Sequence, residues 1–198
     1  MRASTRRELV AGPAGPIECA VDEPAEGSPR GVALVAHPHP LFGGTLDNKV
    51  AQTLARAFVE LGYAAWRPNF RGVGASEGHH DEGRGESEDL VALLGHLKAE
   101  KPVLAGFSFG AAMQTKVATK IKPERMVLVG LAVNKFAAPP VPADTMIIHG
   151  EKDDTAPLSA VMAWALPQDL PVIVVPGADH FFHKRLNILR AIVKNNWK

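Results

Sequence analysis

Pro102-Val103-Leu104-Ala105-Gly106-Phe107-Ser108-Phe109-Gly110-Ala111-Ala112 is the stretch on which the fold turns. Residues 102–106 are apolar without alternation, the pattern of a strand buried on both faces. Residues 110–121 read as a helix. Ser108 stands at the junction, with a glycine two positions away on each side. A Gly-x-Ser-x-Gly turn between strand and helix lifts the serine hydroxyl above the sheet edge, and its small residues let strand and helix approach closely. The helix start aims backbone N–H groups and the positive end of its dipole at the same point. Ser108 is therefore the candidate nucleophile.

The same alternation extends in both directions. Residues 32–36, 63–66, 126–129, 145–149 and 171–175 read as further strands. Helical patterns fill 50–61, capped by Asp47 and stopped at Gly62, then 86–98, 157–165 and 186–197. Buried-type strands alternating with helices predict a mostly parallel sheet covered on both faces. Two weaker strands, 8–11 and 17–21, predict an antiparallel hairpin at one edge. Residues 22–30 and 72–88 read as loops. One domain over 1–198 accommodates all of this.

Composition bounds the function. The net charge is +1, with 46% hydrophobic and 22% charged residues. Nothing here points to nucleic acid or to an anionic membrane surface. Cys19 is the single cysteine, so neither an intrachain disulfide nor a multi-cysteine metal site is possible. The expectation is a cytoplasmic protein. No apolar run reaches the roughly 20 residues of a membrane span. Arg6-Arg7 is followed by Glu8 and a Gly/Pro segment rather than an apolar stretch, unlike a twin-arginine export signal.

Ligands of open parallel sheets gather at the carboxyl ends of the strands. The residues after each strand are His37-Pro38-His39-Pro40, then Asn69-Phe70-Arg71-Gly72, Ser108, Asp153-Asp154 and Asp179-His180. Serine needs a base to take its proton. His180, after the last strand, fits the chain order Ser…Asp…His. His183 is placed at the start of the last helix, His149 is structural, and His79, His80 and His96 are surface residues. An acid must fix the tautomer of the histidine. The loop Gly150-Glu151-Lys152-Asp153-Asp154-Thr155 offers Asp153, with Asp154 as the alternative or as a helix cap. Asp179 should point away from His180 in an extended backbone. His37-x-His39 lacks a neighbouring carboxylate or cysteine to complete a metal site.

Together these residues resemble the α/β-hydrolase superfamily over nearly the whole chain. Gly150-x-x-Asp153-x-x-Ala156-Pro157 is similar to its acid loop, with Ala156 in place of the usual valine. Gly177-x-x-His180 resembles its histidine loop, and residues 69–78 resemble a loop of mainly structural role. His37-Pro38-His39-Pro40, with Gly43-Gly44-Thr45 and Asn48-Lys49, resembles a group of small bacterial hydrolases and carboxylesterases. The resemblance implies a three-layer α/β-hydrolase fold. It implies a serine esterase with the triad Ser108, Asp153 and His180, and no metal or organic cofactor. The oxyanion hole would use the backbone N–H of Phe109 and of His39, with Leu41 second because Pro38 and Pro40 have no N–H.

Larger relatives carry a helical lid where this chain has the short segment 131–144, so a minimal lid or none is expected. Leu41, Phe42, Phe107, Phe109, Val133, Phe136 and Phe181 are the expected cleft walls. The expected substrate is a short- to medium-chain acyl ester, and the expected assembly is a monomer or homodimer. Thioester, small-amide or peptide hydrolysis by the same triad, and a binding protein on the same fold, are the alternatives.

Overall fold

The computed structural model describes residues 5–197. The chain opens with β1 (Thr5–Gly12) and β2 (Gly15–Asp22), paired antiparallel from Thr5↔Asp22 to Gly12↔Gly15. Then come β3 (Val32–Ala36), α1 (Lys49–Glu60), β4 (Ala64–Pro68), α2 (Arg84–His96), β5 (Val103–Phe107) and α3 (Phe109–Ala118). β6 (Arg125–Val129), β7 (Met146–Gly150), α4 (Leu158–Ala165), β8 (Val172–Val175) and α5 (Leu186–Asn195) complete it. The strand order is β1-β2-β4-β3-β5-β6-β7-β8. From β4 to β8 every neighbouring pair is parallel, and β2 joins β4 antiparallel.

The unbroken apolar character of β3 and of β5 to β7 follows from burial on both faces, while β8 at the sheet edge is half-exposed. Ala33, Val35, Ala105, Phe107, Val127, Val129 and Ile148 pack against Leu54 and Phe58 of α1 and Leu189 and Val193 of α5. Their strand neighbours Leu34, Leu104, Met126 and Leu128 pack on the opposite side, against Leu90 and Leu94 of α2 and Met113 and Val117 of α3. α4 covers Ile147 with Val161 and Ala165. Each fully buried leucine contributes about 1.5–3 kcal/mol. Phe58 meets Tyr63 and Trp197 edge-on, and truncating it to alanine costs about 3–5 kcal/mol.

Several boundaries differ from the sequence reading: α2 starts at Arg84, inside the segment 72–88 read as a loop, α3 ends at Ala118 rather than 121, and both hairpin strands run beyond 8–11 and 17–21. The cap of α1 is Asn48, not Asp47: its Oδ1 accepts from the N–H groups of Val50 (2.9 Å) and Ala51 (3.2 Å). Asp47 instead pairs with Arg7 at 2.7 Å. His183 lies before α5, which begins at Leu186. Segment 131–144 forms turns without helix or strand. It is tied down by Trp164 Nε1–H donating to the Ala138 carbonyl (2.8 Å) and Val141 N–H donating to Gln168 (3.0 Å). No described helix is long and apolar enough to cross a membrane.

Candidate active site

The site begins with the turn after β5. Ser108 has φ 56° and ψ −115°, a conformation that costs a non-glycine residue about 1–3 kcal/mol. Its N–H donates to the Val129 carbonyl at 2.9 Å, which pins the turn to β6. Both flanking glycines are required by contact. A Cβ on Gly106 would lie 2.5 Å from the carbonyl of Gly110, and one on Gly110 would lie 2.4 Å from the carbonyl oxygens of Ala36 and His37.

Loops after β7 and β8 bring two more groups to this turn. Ser108 Oγ lies 3.0 Å from His180 Nε2, and His180 Nδ1 lies 2.7 Å from Asp153 Oδ2. A carboxylate only accepts, so Nδ1 carries the proton and Nε2 is free to accept from the serine hydroxyl. The His180 ring rests on Phe107, 4.8 Å between centroids, and meets Phe181 edge-on. Asp153 is itself fixed: Oδ1 accepts from the N–H groups of Thr155 (3.0 Å) and Ala156 (2.8 Å). Buried His149 donates Nε2–H to the Ala156 carbonyl at 2.7 Å and lies 3.4 Å from Asp153 Oδ2. Burial holds the His149 imidazole below its ordinary pKa.

Between the loops opens a cleft of about 310 Å³, lined by Ser108 and His180, the apolar Phe42, Ala132, Phe136 and Phe181, and the polar His39, Asn48, Lys135 and Thr155. Pro38 and Pro40 have no N–H. Leu41 N–H donates to His39 Nδ1 at 3.2 Å. The N–H groups of Phe42 and Gly44 both donate to the His39 carbonyl. Among the described residues, the N–H groups of His39 and Phe109 have no acceptor.

A serine, an imidazole and a carboxylate in hydrogen-bonded series, on three strand ends of this sheet, can be matched against known structures. An α/β serine hydrolase homologue from Coxiella burnetii is 38% identical, with TM-score 0.87 over 98% of this chain and 97% of that one. A serine hydrolase without a lid from Xanthomonas campestris is 32% identical, with TM-score 0.91 over 99% of this chain and 94% of that one. The chain belongs to the α/β serine hydrolases. An uncharacterized protein of Rickettsia prowazekii is 35% identical over 173 residues, 76% of this chain and 71% of that protein. No protein-family model matches.

In this α/β serine hydrolase the acid nearest His180 is Asp153. Asp154 is exposed, beside the Thr155 hydroxyl at 3.4 Å, and does not cap α4, whose N-cap is Pro157. Asp179 turns to His183, 2.6 Å from its Nδ1. Of the expected walls, Phe42, Phe136 and Phe181 line the cleft. Leu41, Phe107, Phe109 and Val133 do not. Leu41 projects into solvent. Phe107 points into the α1/α5 core beneath the His180 ring, because strand side chains alternate. Phe109 is fully buried against His39, Phe70 and Phe136. Val133 packs toward α4 and the sheet.

One histidine also differs from expectation. His80 is not a simple surface residue: its ring lies 4.8 Å from that of His39, and its Nδ1 is 2.7 Å from buried Glu86, off a hydrogen-bonding angle. Burial, then the charges of His80 and Lys135, hold the His39 imidazole below its ordinary pKa against the opposing pull of Glu86. His37 is not paired with His39. Its Nε2 accepts from Phe70 N–H at 3.0 Å and its Nδ1–H donates to the Pro38 carbonyl at 2.6 Å. Burial pushes its pKa down to about 4. Residues 69–78 act as a brace: Asn69 accepts from Leu46 N–H (2.8 Å), and Arg71 forms two 2.8 Å bonds to Asp89. No periodicity marks Lys135, Asn48 or Thr155 as cleft residues; they arrive there through loop geometry.

Proposed function

We propose that this hydrolase cleaves carboxylic esters of short or medium acyl chains through an acyl-serine intermediate. The observation that carries the reading is the series Ser108 Oγ, His180 Nε2, His180 Nδ1, Asp153 Oδ2, with steps of 3.0 and 2.7 Å. His180 takes the Ser108 proton as Oγ attacks the substrate carbonyl carbon, and the C=O electron pair moves to oxygen. The N–H groups of Phe109 and His39, which have no acceptor among the described residues, stabilise that oxyanion. When the C=O re-forms, the alcohol leaves, taking the proton from His180. Water then gives a proton to His180 and attacks the acyl carbon. Ser108 leaves with that proton, and the acid is released. Asp153 keeps the ring in the right tautomer and stabilises the imidazolium. The cleft of about 310 Å³ is at the small end for ligand sites, and its phenylalanine walls suit an apolar acyl chain.

The test is a p-nitrophenyl ester panel of increasing chain length, run with the wild type and Ser108→Ala, beside labelling by a fluorophosphonate. Hydrolysis and labelling of the wild type are expected, with kcat/KM about 10⁴-fold or more lower in the variant. Full activity in Ser108→Ala, or a wild type that neither labels nor hydrolyses any ester, would overturn the reading.

A further inference from the structure

Across Phe181 from the catalytic cleft lies a second compartment of about 220 Å³. The two share Asn48 and Phe181 as walls. The second is otherwise lined by Lys49, Val50, His183, Lys184 and Leu186. No carboxylate belongs to the lining of either space. Among the described residues, neither Lys49 nor Lys184 has a carboxylate within ion-pair distance. The acids closest in sequence are held by other partners, Asp179 by His183 in the wall of this same compartment. Asp47 goes to Arg7 and Gln52, and Asp179 accepts from both the N–H and the ring of His183. Lys184 is placed by a backbone in the left-handed region, φ 58°, in the loop that carries His180.

The chemistry of the triad says which part of an ester reaches this side. His180 must hand its proton to the departing oxygen, so the leaving group lies against the loop of His180, and the acyl chain lies in the phenylalanine-walled cleft. The compartment is bounded by that same loop through Phe181, His183 and Lys184. We infer that it receives the leaving group, and that the preferred leaving group carries a phosphate, held between Lys49 and Lys184. Two ammonium groups without an arginine fork suit a compact, multiply charged phosphate better than a planar carboxylate. The inference rests on the ester-hydrolase reading above. It adds the substrate class: an acyl ester of a phosphorylated alcohol, hydrolysed to the free acid and the alcohol phosphate.

The test compares kcat/KM for two matched pairs. The first is 4-acetoxyphenyl phosphate against 4-methoxyphenyl acetate. The second is a short-chain 1-acylglycerol phosphate against the same 1-acylglycerol, which places the charge on an aliphatic, lipid-type alcohol. In the wild type, the phosphate member of at least one pair is expected to be favoured by about 10-fold, the effect of two exposed ion pairs. That ratio should fall toward one in Lys49→Gln/Lys184→Gln and below one in Lys49→Glu/Lys184→Glu. It should also fall at roughly 1 M salt, where the Debye length is about 3 Å. Preference in the first pair alone points to soluble phosphates, and preference in the second alone to lipid-type ones. Hydrolysis without preference in both pairs, or a preference unchanged in both double variants, overturns this inference while leaving the esterase reading intact. No hydrolysis of any of the four esters together with no fluorophosphonate labelling overturns both.

Discussion

Asp153→Asn is the perturbation whose effect can be worked out most fully. Asp153 Oδ1 accepts two backbone N–H groups, from Thr155 and Ala156, while Oδ2 accepts from His180. In asparagine one of the two positions becomes NH₂. Keeping the oxygen on the two N–H groups satisfies the loop, so the NH₂ faces His180. His180 Nδ1 must then accept, the ring proton moves to Nε2, and the imidazole can no longer take the proton of Ser108. A wrong tautomer of this kind costs about 10⁴ in kcat, roughly 5.5 kcal/mol of activation free energy. Stability should change far less, by about 1–2 kcal/mol, as charge-assisted hydrogen bonds become neutral ones. The assay is kcat for a p-nitrophenyl ester, with urea unfolding in parallel. Asp154→Asn, on an exposed side chain, should alter neither quantity. An Asp153→Asn enzyme within tenfold of wild type, or an Asp154→Asn enzyme equally impaired, would refute the reasoning.

Three further outcomes follow from the same geometry. His39 has φ −54°, which proline accommodates, so His39→Pro removes the N–H and His39→Ala keeps it. Turnover of His39→Pro should be about 10²–10³-fold below that of His39→Ala, and equal rates would move the donor elsewhere. Gly110→Ala drives a Cβ to 2.4 Å from two carbonyl oxygens. It should lower stability by about 3 kcal/mol or more, read as a fall in the urea midpoint. His37 stays neutral in the fold down to about pH 4, against 6.5 for the free group. Between those values the unfolded chain binds the extra proton, so stability should fall as pH falls from 6.5 toward 4, by up to about 3 kcal/mol. His37→Asn should flatten that slope of the urea midpoint against pH, leaving a weaker dependence of the same sign from His149 and His39.

The sheet was legible because its central parallel strands, β3 and β5 to β7, are buried on both faces and so read as unbroken apolar runs. The turn at Ser108 was legible because glycines at 106 and 110 are required by contact rather than by propensity. Helix caps were less so. Asp47 and Asn48 are both good caps in sequence, and the choice between them depends on Arg7, 40 residues away and able to claim Asp47. Asp153 and Asp154 were likewise separable only by the turn geometry that sends one inward. The cleft walls were the least legible. Phe107 and Phe109 flank the serine in sequence, yet one completes a strand facing the core and the other starts a buried helix. Lys135 and His80 reach their places through loops whose paths depend on non-local contacts, the Trp164–Ala138 bond for the first and the Arg71–Asp89 pair for the second.

The spacing of the three central groups along the chain has its own consequence. Ser108 and His180 are 72 residues apart, and Asp153 and His180 are 27 apart. They meet only while β5 through β8 stay paired in register. No local segment can assemble this constellation, so a partly folded chain should present an ordinary, unreactive serine. Reactivity at one hydroxyl then becomes an assay of tertiary integrity. The labelled fraction in rising denaturant should trace the same curve as global unfolding, and make the folded population directly countable in a crude mixture.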